Sequence, residues 1–210
     1  MADSAVSKNL IGILISGRGS NMRAILDRIA SGELDARVAL VISNEPKAVG
    51  LVAAREFSVP TLVIDHRQSP TREEHDQKMA EALESKGVHL ICLAGYMRLL
   101  SPEFVERFQG RILNIHPSLL PAFPGREAQR QAFEAGVKLS GCTVHYVDEH
   151  VDSGPIILQE AVPVLDDDDA DSLAARILEK EHTLYCRAIA LHFSGRLRLS
   201  GRRVLGASRR

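Results

Sequence analysis

Short, continuous apolar runs separated by stretches of helical character constrain this chain more than any other feature. The runs are "LIGILIS" (Leu10 to Ser16), "ARVALVIS" (Ala36 to Ser43), "TLVID" (Thr61 to Asp65), "VHLICLAG" (Val88 to Gly95) and "RILNIH" (Arg111 to His116). Helices are predicted between them: about Asn21 to Ala30, around Leu51 to Glu56, roughly Thr71 to Ser85 with Pro70 just ahead, and a short one from Pro102 to about Phe108. A strand that is apolar at every position is covered on both faces. Such strands alternating with helices imply a parallel sheet between helical layers.

After Gly125 the pattern changes. A helix is predicted near Arg126 to Ala135, and "CTVHYV" and "PIILQEAVPV" read as strands that pair antiparallel or mixed with the rest. The run "DDDDADS" leads into a helix from about Ser172 to Phe193, where its carboxylates suit the N-terminal cap and the helix dipole. "RLRLSGRRVL" reads as a terminal hairpin around Ser200-Gly201. The expected fold is α/β: a Rossmann-like, open, mostly parallel sheet with helices on both faces and a mixed C-terminal part. No linker or repeat divides the chain, so one domain is expected over 1–210, with a core of about 9–193 and a basic, solvated extension at 194–210.

Composition narrows the class. The chain of 210 residues is 45% hydrophobic, enough for a sizeable core, and its net charge of −1 gives no electrostatic reason for a nucleic-acid or membrane partner. No apolar run approaches the roughly 18–20 residues of a membrane span, and "MADSAVSKNL" lacks a signal pattern. Cys92, Cys142 and Cys186 are too scattered for a disulfide framework or a zinc spacing. The expectation is a cytoplasmic, reduced protein.

"RILNIHPSLLPAFPG" carries the first chemical signal. Leu113 and Ile115 alternate with Asn114 and His116, the period of a strand, and the strand must stop at Pro117 because proline has no N–H for the ladder. Asn114 and His116 therefore point the same way at a strand end, with Pro117, Pro121 and Pro124 stiffening the loop beyond them. An amide donor and an imidazole together suit acyl transfer: one stabilises an oxyanion, the other carries a proton. "ISGRGSN" carries the second signal. A glycine turn between strand and helix presents backbone N–H groups to an anion, with Ser20 and Asn21 at the expected cap. Met22 replaces the third glycine of a dinucleotide fingerprint, so a single phosphate is expected rather than a nicotinamide.

"HYVDEHVDSGP" holds His145, Asp148, Glu149, His150 and Asp152, at no metal-ligand spacing, so no metal is expected. Asp152 can instead sit beside a histidine and favour its charged form. A serine-hydrolase reading fails for want of a G-x-S-x-G elbow.

Together, "NIHPSLLPAFPG", "VDSGP" and "SGRGSN" strongly resemble the phosphoribosylglycinamide formyltransferase family, over about Asn9 to Phe193. The resemblance implies formyl transfer from 10-formyltetrahydrofolate, a consumed co-substrate, to the amine of phosphoribosylglycinamide in purine synthesis, by a monomer or homodimer. It implies a catalytic trio of Asn114, His116 and Asp152. Gly19, Ser20 and Asn21 match the loop that holds the ribonucleotide phosphate, and Glu181 the carboxylate at its ribose. Arg72 and Met97, Arg98, Leu99 and Leu100, together with Asn114, match the folate-binding positions. The sequence departs from the family at Arg126, Glu127 and Gln129, where many relatives carry Leu-His-x-His, and at Ala122, where some carry lysine. The rival reading is a 10-formyltetrahydrofolate hydrolase, which would hand the formyl group to water with the same trio. A catalytically silent folate- or nucleotide-binding module is a third.

Overall fold

The first apolar run forms strand β1 (Leu10–Ile15), followed by helix α1 (Ser20–Ala30), β2 (Arg37–Ser43), α2 (Gly50–Glu56), β3 (Thr61–Val63), α3 (Arg72–Ser85) and β4 (Leu90–Leu93). The computed structural model describes residues 9–207, so Met1 to Lys8 and Ser208 to Arg210 of the expected tail lie outside the described residues. The chain divides into two compact units, Met1–Phe104 and Val105–Arg210.

In the first unit the strands lie in the order β3-β2-β1-β4 and every pair is parallel. This is the α/β arrangement expected from apolar runs alternating with helices. The chain builds outward from β1 to β3 and then returns to the other side of β1 with β4. The loops after β1 and β4 therefore flank the point where strand order reverses, the usual place for a ligand in an open α/β sheet. Helix α1 buries Asn21, Met22, Ile25 and Leu26, a stripe at helical spacing. Each fully buried Ile or Leu contributes about 1.5–3 kcal/mol. Gly12 lets α3 pack closely on β1: a Cβ there would meet the end of the Leu83 side chain, which would have to shift.

The second unit contains helix α4 (Pro102–Arg107, begun in the first), β5 (Ile112–His116), α5 (Ala128–Glu134), β6 (Leu139–Tyr146), β7 (Ile156–Pro163), α6 (Ala170–Phe193), β8 (Arg198–Ser200) and β9 (Arg203–Leu205). Pairing here is mixed, as the change of pattern after Gly125 implied. β5 with β6, β6 with β7, and β8 with β9 are antiparallel, while β7 meets β9 in parallel at Ile156 and Arg203. The acidic run caps α6: Asp169 accepts from the Asp171 and Ser172 N–H groups, and Ser172 Oγ accepts from the Asp169 N–H. Asp168 makes a two-pronged pair with Arg176 at 2.6 and 2.7 Å. The basic tail forms the expected hairpin and joins the sheet through β9. Arg202 donates to the Ser153 carbonyl at 2.6 Å.

Candidate active site

Strand period places Asn114 and His116 on one side of β5, and register with β6 sets Asn114 opposite His145 and His116 opposite Thr143. Polar side chains inside strands are tolerated only when bonded, and these are. His116 Nδ1 lies 3.2 Å from Asp152 Oδ2, and its Nε2–H donates to the Phe123 carbonyl at 2.8 Å. Both partners are acceptors. The bonds are complete only with an N–H on each ring nitrogen, which is the imidazolium. Asn114 Nδ2 donates to Asp152 Oδ1 at 3.3 Å and lies 3.2 Å from His145 Nε2. His145 Nδ1 is 2.8 Å from the Tyr146 carbonyl, and its Nε2 is 3.6 Å from Asp152 Oδ1, so the ring faces both Asn114 and the carboxylate.

Asp152 reaches this cluster from the turn before β7. It holds a left-handed backbone, φ 48, unusual outside glycine. The Gly125 N–H donates to its Oδ2 at 2.8 Å. Gly154 stands two residues on, where a Cβ would collide with the Tyr146 carbonyl. Burial by itself would raise the Asp152 carboxyl. The His145 ring, the Gly125 N–H and the charge of His116 act the other way and together hold it below the ordinary aspartate value.

The proline-rich loop is held by more than its prolines. Thr143 Oγ1 donates to the Ser118 carbonyl at 2.6 Å and accepts the Leu120 N–H. Gln159 Nε2 donates to the Leu120 carbonyl, and Ser118 Oγ donates to that of Ala122. The Leu120–Pro121 bond is cis. Sequence reasoning took His145 only as a possible metal ligand and passed over Thr143. The signal was present: Thr143 and His145 alternate with Cys142 and Val144, repeating the pattern of β5. Among the described residues no group of three or more His, Cys, Asp or Glu side chains is arranged to hold a metal ion.

Glu181 lies on the buried face of α6 and is 6% exposed. Its charge reaches Cys142, whose thiol is pushed up to about 12 by burial first and by Glu181 second.

In the first unit, Gly19 rather than Ser20 is the cap of α1. It adopts a left-handed φ of 71, and no side chain caps the helix. The tight glycine turn enters the helix one residue earlier than expected, so Ser20 and Asn21 become its first residues. Gly50 lies against this turn and donates its N–H to the Gly17 carbonyl at 3.0 Å. The segment after β4 carries Met97 and Leu99, 64% and 58% exposed, with Arg98 and Leu100 half-buried. Arg98 Nε is buried and makes no hydrogen bond. Arg72 opens α3, its guanidinium 3.4 Å from Glu73.

Known proteins resemble this chain closely. The family described as formyl transferase matches residues 9–189. The trifunctional purine biosynthetic protein adenosine-3 of Drosophila melanogaster is 51% identical over 88% of the chain, which spans only 14% of that protein's length. The phosphoribosylglycinamide formyltransferase of Haemophilus influenzae is 44% identical over 90% of this chain and 89% of its own. The crystal structure of glycinamide ribonucleotide transformylase 1 from Symbiobacterium toebii superposes with a TM-score of 0.93 at 52% identity, covering 97% of this chain and 96% of that one.

Proposed function

This chain belongs to the formyl transferase family, and from that premise we propose that it transfers the formyl group of 10-formyltetrahydrofolate to the amine of phosphoribosylglycinamide in purine synthesis. The observation that carries this reading is the cluster of Asn114, His116, His145 and Asp152, joined by hydrogen bonds and an ion pair, with both histidines buried and Asn114 and Asp152 half-buried.

In the reaction a bond forms between the glycinamide nitrogen and the formyl carbon, and that carbon's bond to the folate nitrogen breaks. Negative charge gathers on the formyl oxygen in between. Asn114 and His116 are the donors assigned to it, each worth about 3–4 kcal/mol of barrier when aimed at such an oxygen. Asp152, 3.2 Å from His116 Nδ1, holds the ring in one orientation. In the ligand-free arrangement both donors are already engaged, because a buried N–H left unbonded is costly. His116 Nε2 must therefore exchange the Phe123 carbonyl, or Asn114 the Asp152 carboxylate, for the substrate oxygen. The amine's proton passes to the leaving nitrogen, a transfer that contributes about 10²–10⁴ in rate when assisted.

Gly19, Ser20 and Asn21 are assigned to the phosphate, where the uncapped N-terminal N–H groups of α1 suit an anion. Glu181 is assigned to the ribose. Arg72, Met97, Arg98, Leu99 and Leu100, with Asn114, are assigned to the folate. The buried Arg98 Nε is a donor that a ligand would satisfy. Among the described residues no helix is long and apolar enough to cross a membrane. The reading is of a cytoplasmic enzyme acting as a monomer or homodimer.

The test is release of deformylated folate from a 10-formylfolate, followed spectroscopically with and without the ribonucleotide. Strict dependence on the ribonucleotide, with the formyl group recovered on its amine, is expected. Equal release without it would replace this reading with hydrolysis.

A further inference from the structure

Met97 and Leu99 expose large apolar side chains from a segment that has no helix or strand, so little packing holds its backbone in place. Two main-chain N–H groups anchor it instead. At one end the Met97 N–H donates to Ser16 Oγ at 2.8 Å, and the Ser16 hydroxyl donates to Asn44 Oδ1 at 2.6 Å. Asn44 is buried, and its amide is itself held by His66 Nδ1 at 3.2 Å. At the other end the Ser101 N–H donates to Asp76 Oδ2 at 2.6 Å. Asp76 Oδ1 faces His75 Nδ1 at 3.0 Å, and His75 Nε2 donates to the Ile64 carbonyl at 2.9 Å.

His75 and Asp76 are 0% and 1% exposed, on the same face of α3 as Met79, Ala80 and Leu83. Two titratable residues in an apolar stripe are a poor way to gain stability, since well-packed apolar residues of similar volume do as well or better. What they supply is a directed acceptor at a fixed point. Met79 belongs to the same device: it accepts the Tyr96 hydroxyl through Sδ at 3.5 Å, next to the segment's start.

We propose that Asp76, backed by His75, and Ser16, backed by Asn44, are positioning residues that clamp the two ends of segment 97–100 and fix the shape in which it receives the folate. This rests on the assignment of that segment to the folate. Neither clamp is among the residues assigned to a substrate. Their loss is therefore expected to appear in folate affinity and not in the chemical step.

Asp76→Ala removes the acceptor for Ser101, and Ser16→Ala removes that for Met97. Each should raise the KM for 10-formyltetrahydrofolate about tenfold or more, the scale of an unmet buried bond, while kcat and the ribonucleotide KM stay within about twofold. Asp76→Asn is the rescue. Its Oδ1 still accepts Ser101, its amide can donate to Nδ1 of a neutral His75, and the folate KM should stay near wild type. Amide hydrogen exchange on ligand-free protein reads the clamp without the folate: exchange across 97–101 should speed up in Asp76→Ala and not in Asp76→Asn. Folded alanine variants with unchanged exchange and unchanged folate KM would overturn the proposal, as would an equal rise in both substrates' KM. If wild type fails to bind 10-formyltetrahydrofolate while exchange responds as expected, the clamp stands and the folate assignment falls.

Discussion

In the first unit β1, β2 and β4 are almost entirely apolar, and the residues assigned to ligands lie outside the strands, at Gly19 to Asn21, Arg72 and Met97 to Leu100. In the second unit β5 and β6 carry Asn114, His116, Thr143 and His145 inside the strands, paired across the ladder. A strand fixes direction and spacing at every residue, so groups that must meet a reacting centre gain from being there. In return each must be bonded to something in the ligand-free protein. A loop can present flexible apolar side chains to a substrate, but its shape has to be imposed by remote acceptors. On the proposed assignments the reacting groups lie in the second unit, beside binding positions at Asn114 and Glu181, while the first unit supplies binding positions alone.

The sharpest way to break this contrast is to remove one residue of each kind. His116→Ala is expected to lower kcat by about 10²–10⁴, with both KM values changed only a few-fold. Met97→Ala should instead raise the folate KM and leave kcat nearly unchanged. Steady-state kinetics on both substrates decides it, and a shared pattern would erase the distinction.

Stability gives the next largest contrast. Ile13, fully buried in β1, should cost about 2–5 kcal/mol when changed to alanine, with activity per folded molecule unchanged. Gly154→Ala forces a Cβ onto the Tyr146 carbonyl. It should cost a comparable amount, and activity should fall with it because the Asp152 turn is displaced. Urea unfolding beside an assay at matched folded fraction separates the two.

Acid should sharpen the contrast further. The Asp152 carboxyl is held below its unfolded value of about 3.9. Above that value its contribution to stability is complete; as pH falls through the folded value the native state must take up the proton, and the contribution is lost. Asp152→Asn lacks this term, so its stability should fall less steeply than wild type below about pH 4, read from urea midpoints. The smallest effect is expected at Lys138, whose pair with Asp166 is 83% and 100% exposed at the side chains. Lys138→Ala should change neither activity nor stability measurably.

The sequence made several of these features legible because they are local. Helical and strand periods run along the chain, so β1 to β4, the change of pattern after Gly125 and the cap of α6 could all be read in place. Expected boundaries differed by a residue or two where a conformation rather than a pattern decides, as at Gly19. His75 and Asp76 were less legible. They lie in a helix that reads as polar, and only its packing shows that they fall on the buried stripe.

By itself the sequence determined that Asn114 and His116 share a side of one strand, since a period of two is a property of the backbone. It also determined that a glycine turn precedes α1 and that the strand must end at Pro117. Tertiary structure alone decided which groups they meet. Asp152 reaches His116 through a left-handed turn that Gly154 permits and the Gly125 N–H supports, and His145 faces Asn114 only in the register that β5 and β6 adopt. Those partners are distant along the chain, and no local pattern encodes a hydrogen bond whose two ends are brought together only by folding.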